Sequence, residues 1–147
     1  MGAFGTSAEK MADMIEAFVQ LQMFSNRGSS RIAFKTDGKI VFVNPADVIG
    51  VEAQGNYVSL LHTDSTRHLL RSPISAMEEK LRPYGFIRIH RSALVNSTFV
   101  EEIRPRLTGE YSLRVKGGKE YTVTRTHKKN LKLLTKSWIG TDSFLSE

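Results

Sequence analysis

FIRIHRSALVNSTFVEEI, from Phe86 to Ile103, and YSLRVKGGKEYTVTRTHKKNLKLL, from Tyr111 to Leu134, decide the class of this fold. FIRI, FVEEI, YSLRV and EYTVT are short runs in which apolar and polar side chains alternate with a period of two, as in strands that bury one face. Gly117-Gly118 accepts the positive φ of a tight hairpin, so YSLRV and EYTVT should pair. HKKNLKLLTKSWI closes the segment as a short basic helix with Leu131, Leu133 and Leu134 facing inward.

The same pattern extends upstream. RIAFK and KIVFV flank Asp37-Gly38, a strong hairpin signal, and Asn44-Pro45 forms a turn. VIGVEA and NYVSLLH are separated by Gln54-Gly55, and RHLLR follows the turn-like Thr63 to Thr66. Ser72-Pro73 opens a helix over about Ile74 to Leu81, with serine as N-cap and proline at the first helical position, and the helix stops before Pro83. Phe34, Phe42, Phe86, Phe99, Tyr111 and Tyr121 alternate with polar residues, which assigns them to the core. The expected fold is mainly β, a compact domain of consecutive small antiparallel sheets with one or two short helices.

Thr6 to Phe24 differs in period. Met11, Met14, Ile15, Phe18, Val19 and Leu21 recur at helical steps, making an N-terminal amphipathic α-helix, and SNRGSS, residues 25–30, has linker composition. The organisation expected is helix and linker over 1–30, the β-domain over 31–138 and a tail over 139–147. The apolar stripe can dock on its own domain or mediate a homodimer through a second copy. Its slightly acidic polar face argues against a membrane surface.

Across 147 residues, 21 Lys and Arg stand against 15 Asp and Glu, a net charge of +6. Phe86 to Lys136 alone holds 12 of the basic residues and four acids, Glu101, Glu102, Glu110 and Glu120. So concentrated a positive segment favours an anionic partner and raises the case for nucleic acid. With no cysteine, disulfides, thiolate nucleophiles and Cys-ligated metal sites drop out. No apolar run approaches the length of a membrane span, so a cytoplasmic location is expected.

Catalytic signatures are missing as well. There is no phosphate-binding glycine loop, HExxH or GxSxG, and His62, His68, His90 and His127 match no compact metal motif. Neither a metal nor a cofactor is expected, and an enzyme is the weakest reading. Glu101 and Glu102 should point to opposite faces of a strand. The conspicuous polar residues stand instead where strands end: Asn56-Tyr57, His90-Arg91-Ser92 and Thr124-Arg125-Thr126. Arginine can pair two donors with a guanine edge, whereas hydroxyls, amides and lysines suit phosphate oxygens. For either arginine alone, a surface ion pair is the simpler reading.

Taken together, these segments resemble the LytTR DNA-binding domain family over about 105 residues, from Arg31 to near Lys136. The resemblance rests on spaced elements in order: VIGVEAQGNYVSLLHTD, SPISAMEEKL, the HRSALVN segment with Asn96, and a hairpin ending in Tyr-x-Val-x-Arg. It implies that double-stranded DNA is read by three loops entering successive grooves, not by a recognition helix. By position, Arg91 and Arg125 become the leading base readers, with Asn56 and Tyr57 next. Arg88, His90, Ser92, Thr126, Lys128 and Lys129 become candidate phosphate contacts, and Asn96 braces its loop. Thr124 stands where serine is common in the family. Many members carry a receiver domain in front, for which 30 residues with one aspartate, Asp13, are too few. A sequence-specific transcriptional regulator is the leading reading, and a basic β-domain binding RNA or an acidic protein partner is the alternative.

Overall fold

The computed structural model describes residues 10–17 and 31–134. Residues 10–17 form a helix, α1, inside the expected N-terminal segment. Met11, Met14 and Ile15 on it are all exposed; Phe18, Val19 and Leu21 of the same stripe, and the tail over 139–147, lie outside the described residues.

The β-domain is three antiparallel sheets in sequence. Strands β1 (Ile32–Thr36) and β2 (Lys39–Val43) form a two-stranded hairpin. Its Asp37-Gly38 turn has positive φ at both residues, 46° and 77°, so the loop twists with the strands instead of splaying them. The central sheet has the order β5-β4-β3-β7-β6, built from β3 (Val48–Gln54), β4 (Tyr57–His62), β5 (Arg67–Arg71), β6 (Phe86–His90) and β7 (Ala93–Asn96). The last sheet has the order β10-β9-β8, from β8 (Val100–Pro105), β9 (Tyr111–Val115) and β10 (Glu120–Val123). A second helix, α2 (Ile74–Leu81), links β5 to β6.

Both faces of the central sheet are covered, so β3 reads as the nearly unbroken apolar run Val48-Ile49-Gly50-Val51. One face packs Val48, Val51, Leu60 and Leu94 against Ile32 and Phe34 of β1 and Met77 and Leu81 of α2. The other packs Ile49, Ile87, Ile89 and Val95 against Leu113, Val115 and Val123 of the last sheet and Leu131 beyond it. Asn96 is buried between the layers. Its amide donates to the carbonyls of Val48, at 3.0 Å, and Pro45, at 3.3 Å, and its oxygen accepts from the Thr98 N–H at 3.1 Å. It braces its loop as expected.

Several expectations need correction. Pro73, not Ser72, is the N-cap of α2: its extended backbone (φ −71°, ψ 149°) lets its carbonyl accept from Ala76 N–H, while the Ser72 hydroxyl donates to that same carbonyl. Asn44-Pro45 is the start of a short 3-10 helix, Pro45–Asp47, capped by the Asn44 side chain. The C-terminal basic helix is a 3-10 helix over Arg125–Leu133 and begins before His127. Three residues per turn align Leu131 with Leu134, so Leu131 is buried while Leu133 is 58% exposed. Phe42 leaves the core for the outer face of the hairpin, where the Arg31 guanidinium lies 5.2 Å from its ring centre. Glu101 and Glu102 do act together: a register irregularity between Val100 and Glu102 brings both carboxylates to Arg114.

Candidate nucleic-acid interface

Register brings the suspect loops to one end of the central sheet. Gln54 pairs with Tyr57, leaving Gly55-Asn56 as the β3–β4 turn, and His90 pairs with Ala93, leaving Arg91-Ser92 as the β6–β7 turn. Glu52 is paired with both Ser59 and Ala93, so the two turns project from the same end. The Ala53 N–H donates to the Ser92 carbonyl at 2.9 Å and ties one turn to the other. The Thr124 N–H donates to the Ile89 carbonyl at 3.1 Å, which places the first turn of the Arg125 helix beside them. Three segments far apart in sequence thus stand side by side on backbone hydrogen bonds.

Asn56, Arg91, Arg125, Thr126 and Lys129 are exposed, while Tyr57, His90, Ser92 and Lys128 are half-buried. Among the described residues, neither Arg91 nor Arg125 takes part in an ion pair. The surface pairing that would engage an isolated arginine is absent at both, so two planar donor forks remain available at the loop tips. Tyr57 is held from the side: its hydroxyl donates to Asp37 Oδ2 at 3.1 Å, across from the β1–β2 turn. Arg71, paired with Tyr57 in register, comes within 4.0 Å of the same carboxylate.

Arg88 departs from its expected phosphate role. Its Nε donates to the His90 carbonyl at 2.7 Å, Nη1 to Glu78 Oε1 at 2.7 Å and Nη2 to the Arg91 carbonyl. With 15% of its side chain exposed, the guanidinium is committed inside the protein. The reason is strand alternation: Arg88 shares the face of Phe86, which packs on α2, where Glu78 waits. His90 and Ser92 are bonded to one another, since the Ser92 N–H reaches His90 Nδ1 at 3.1 Å and its hydroxyl stands 2.9 Å away. A backbone N–H can only donate, so Nδ1 accepts and the neutral ring carries its proton on Nε2. That leaves Nε2–H as the ring's remaining donor.

Beneath the Arg125 segment, His127 Nδ1 lies 2.8 Å from the Thr124 hydroxyl. Burial, and next the positive charge of Arg88, hold the His127 imidazole below the ordinary histidine pKa, against the opposing pull of Glu78. Asn130, one helical segment further, donates to the Arg88 carbonyl at 2.7 Å. Glu78, Asn130 and Asp37 escaped the sequence reading because each meets its partner only through tertiary contact. Among the described residues no cluster of three or more His, Asp or Glu could hold a metal ion, and no helix is long and apolar enough to cross a membrane.

The sequence pattern of the LytTr DNA-binding domain matches residues 38–136. The chain belongs to the LytTR DNA-binding domain family. This LytTR domain is 31% identical over 116 residues to the sensory transduction protein LytT of Bacillus subtilis, covering 79% of the chain and 48% of that relative. It is 28% identical over 96 residues to the transcriptional regulatory protein LytR of Staphylococcus aureus, covering 65% of the chain and 39% of that relative. The chain spans about half the length, or less, of these curated relatives. In structure it resembles the LytTr DNA-binding domain of a Bacillus cereus response regulator, with a TM-score of 0.61 over 74% of this chain and 99% of that one. At 22% identity that likeness is one of fold.

Proposed function

We propose that this LytTR domain serves a transcriptional regulator in the cytoplasm and reads double-stranded DNA sequence with three loops laid into successive grooves. Arg91 and Arg125 pair with base edges, and Asn56 and Tyr57 read beside them. His90, Ser92, Thr126, Lys128 and Lys129 contact phosphate, while Arg88 acts from within. The observation that carries this reading is the convergence on adjacent turns, at one end of a rigid sheet, of two exposed arginines that make no ion pair among the described residues. The surrounding segment supplies the positive field that draws a polyanion. Alternation to the sheet faces buries Phe34, Phe86 and Tyr121, which leaves no row of exposed rings among the described residues for single-stranded RNA and disfavours that alternative.

The test is selection of bound sequences from a random duplex pool, followed by Arg91→Ala and Arg125→Ala. A single recovered consensus is expected. Each substitution should cost about 1–3 kcal/mol on that site and relax one base position. Equal weakening on every sequence would reassign that arginine to phosphate, and no consensus for the unaltered chain would overturn the reading. A homodimer through α1 accompanies this proposal, since linking two modules makes the second binding event intramolecular.

A further inference from the structure

Beside the two arginine loops lies a polar cluster that bonds the turn backbone and not the side chains of Arg91 and Arg125. Arg88 is its centre. All three kinds of guanidinium nitrogen are engaged: two donate to the carbonyls of His90 and Arg91, which form the backbone of the β6–β7 turn, and the third to Glu78 on α2. The Arg88 backbone carbonyl in turn accepts from Asn130 on the Arg125 helix. Glu78 is three-quarters covered and its second oxygen lies 3.4 Å from Arg82, so α2 presents a fixed carboxylate to a largely covered cation.

We infer that Glu78 and Arg88 are positioning residues for DNA readout: the ion pair sets the conformation of the Arg91 turn, and the Asn130 bond to the Arg88 carbonyl holds the Arg125 segment beside it. A planar fork held at one end by a carboxylate can satisfy two successive carbonyls only in one orientation of the turn. Without Glu78 the guanidinium loses its anchor and a covered charge is left uncompensated, so Arg88 swings toward water and releases both carbonyls. The Arg91 side chain itself remains but samples more orientations, and readout of a base edge by two parallel hydrogen bonds is sensitive to such loss of aim. The Arg125 segment is held beside the turn by the separate Asn130 bond to the Arg88 backbone carbonyl. This inference rests on the proposed DNA-reading role, and its test separates the two.

The full chain carrying Glu78→Ala, Glu78→Gln or Asn130→Ala is compared with the unaltered chain in two measurements. In amide hydrogen exchange without DNA, Glu78→Ala should speed exchange in residues 88–93 and leave the β1–β2 hairpin unchanged. Exchange unaltered in residues 88–93 would overturn the inference whatever the protein binds. In competition binding on the selected duplex and its single-base variants, Glu78→Ala should reduce discrimination at the Arg91 position by roughly tenfold, the size of one charge-assisted hydrogen bond. Glu78→Gln, whose amide oxygen still accepts, should restore part of it. Adding Glu78→Ala to Arg91→Ala should cost no further discrimination. Asn130→Ala should speed exchange across 124–131 and weaken discrimination at the Arg125 position. A uniform loss on all duplexes, or discrimination retained alongside a lowered melting temperature, would make the pair purely structural and overturn the inference. An unaltered chain without any sequence preference would instead remove the DNA-reading role, while the exchange result still decides whether Glu78 holds the turn.

Discussion

The aliphatic stem of Arg125 lies across Gly109, so that a Cβ added at the glycine would stand 2.9 Å from Arg125 Cδ. Gly109 sits in the β8–β9 loop with φ +90°, where its N–H donates to the Arg106 carbonyl at 3.1 Å. One residue therefore satisfies two demands, a left-handed backbone and a bare surface for the arginine to lie on.

Gly109→Ala should accordingly act twice. The strained backbone costs about 1–2 kcal/mol, read as a lower urea midpoint. The displaced Arg125 stem should weaken preference at its base position, and Arg125→Ala combined with Gly109→Ala should show no additional loss of that preference. Intact preference in the single variant would mean the arginine finds its place without the glycine.

Lys128 and Lys129 follow Arg125 on the same 3-10 helix and make no ion pair among the described residues. Each phosphate they neutralise should contribute about −0.9 to the slope of log K against log salt. Removing both should flatten the slope and leave the selected consensus unchanged. A changed consensus with an unchanged slope contradicts their assignment to phosphate.

Asn96→Ala should destabilise the domain by at least about 2 kcal/mol in urea unfolding, because it strands the Thr98 N–H and removes the donor to two carbonyls in a buried site. A loss below half that size would mean water replaces the amide.

His62 and His127 both have pKa values lowered chiefly by burial. Each is neutral in the folded chain at a pH where the unfolded chain already binds a proton, so acidification favours unfolding. Stability should be full above the ordinary histidine value and fall as pH drops through it, levelling only below the lowered folded-state values. Urea midpoints across that range check this, and the slope should shrink in His62→Gln. A flat profile would mean that neither ring is hindered from charging.

Met11, Met14 and Ile15 are exposed on α1, and an isolated helix of this length is marginal in water. Sedimentation of the full chain beside one starting at Ser30 should show a dimer becoming a monomer. Monomers in both cases, with unchanged cooperativity on a two-repeat duplex, would remove self-association from the proposal.

The strands, the Asp37-Gly38 and Gly117-Gly118 hairpins and the bracing by Asn96 were legible in the sequence, because each is set by local alternation, turn chemistry or one small polar residue among apolar ones. So was the segment carrying the surplus charge. The fates of individual side chains were not. Arg88 and Arg91 look alike in sequence, yet strand alternation turns one toward Glu78 on α2 and leaves the other at a turn tip. Phe34 and Phe42 both alternate properly, but only one face of the β1–β2 hairpin meets the central sheet, so Phe34 is buried and Phe42 is not. Period two tells which residues share a face, whereas which face is covered depends on neighbours brought from elsewhere in the chain. The sequence by itself determined the β-class, the hairpins and the basic loops; tertiary packing alone decided that Arg88 is engaged and Arg91 is not, because only the folded layers bring Glu78 of α2 to one of them.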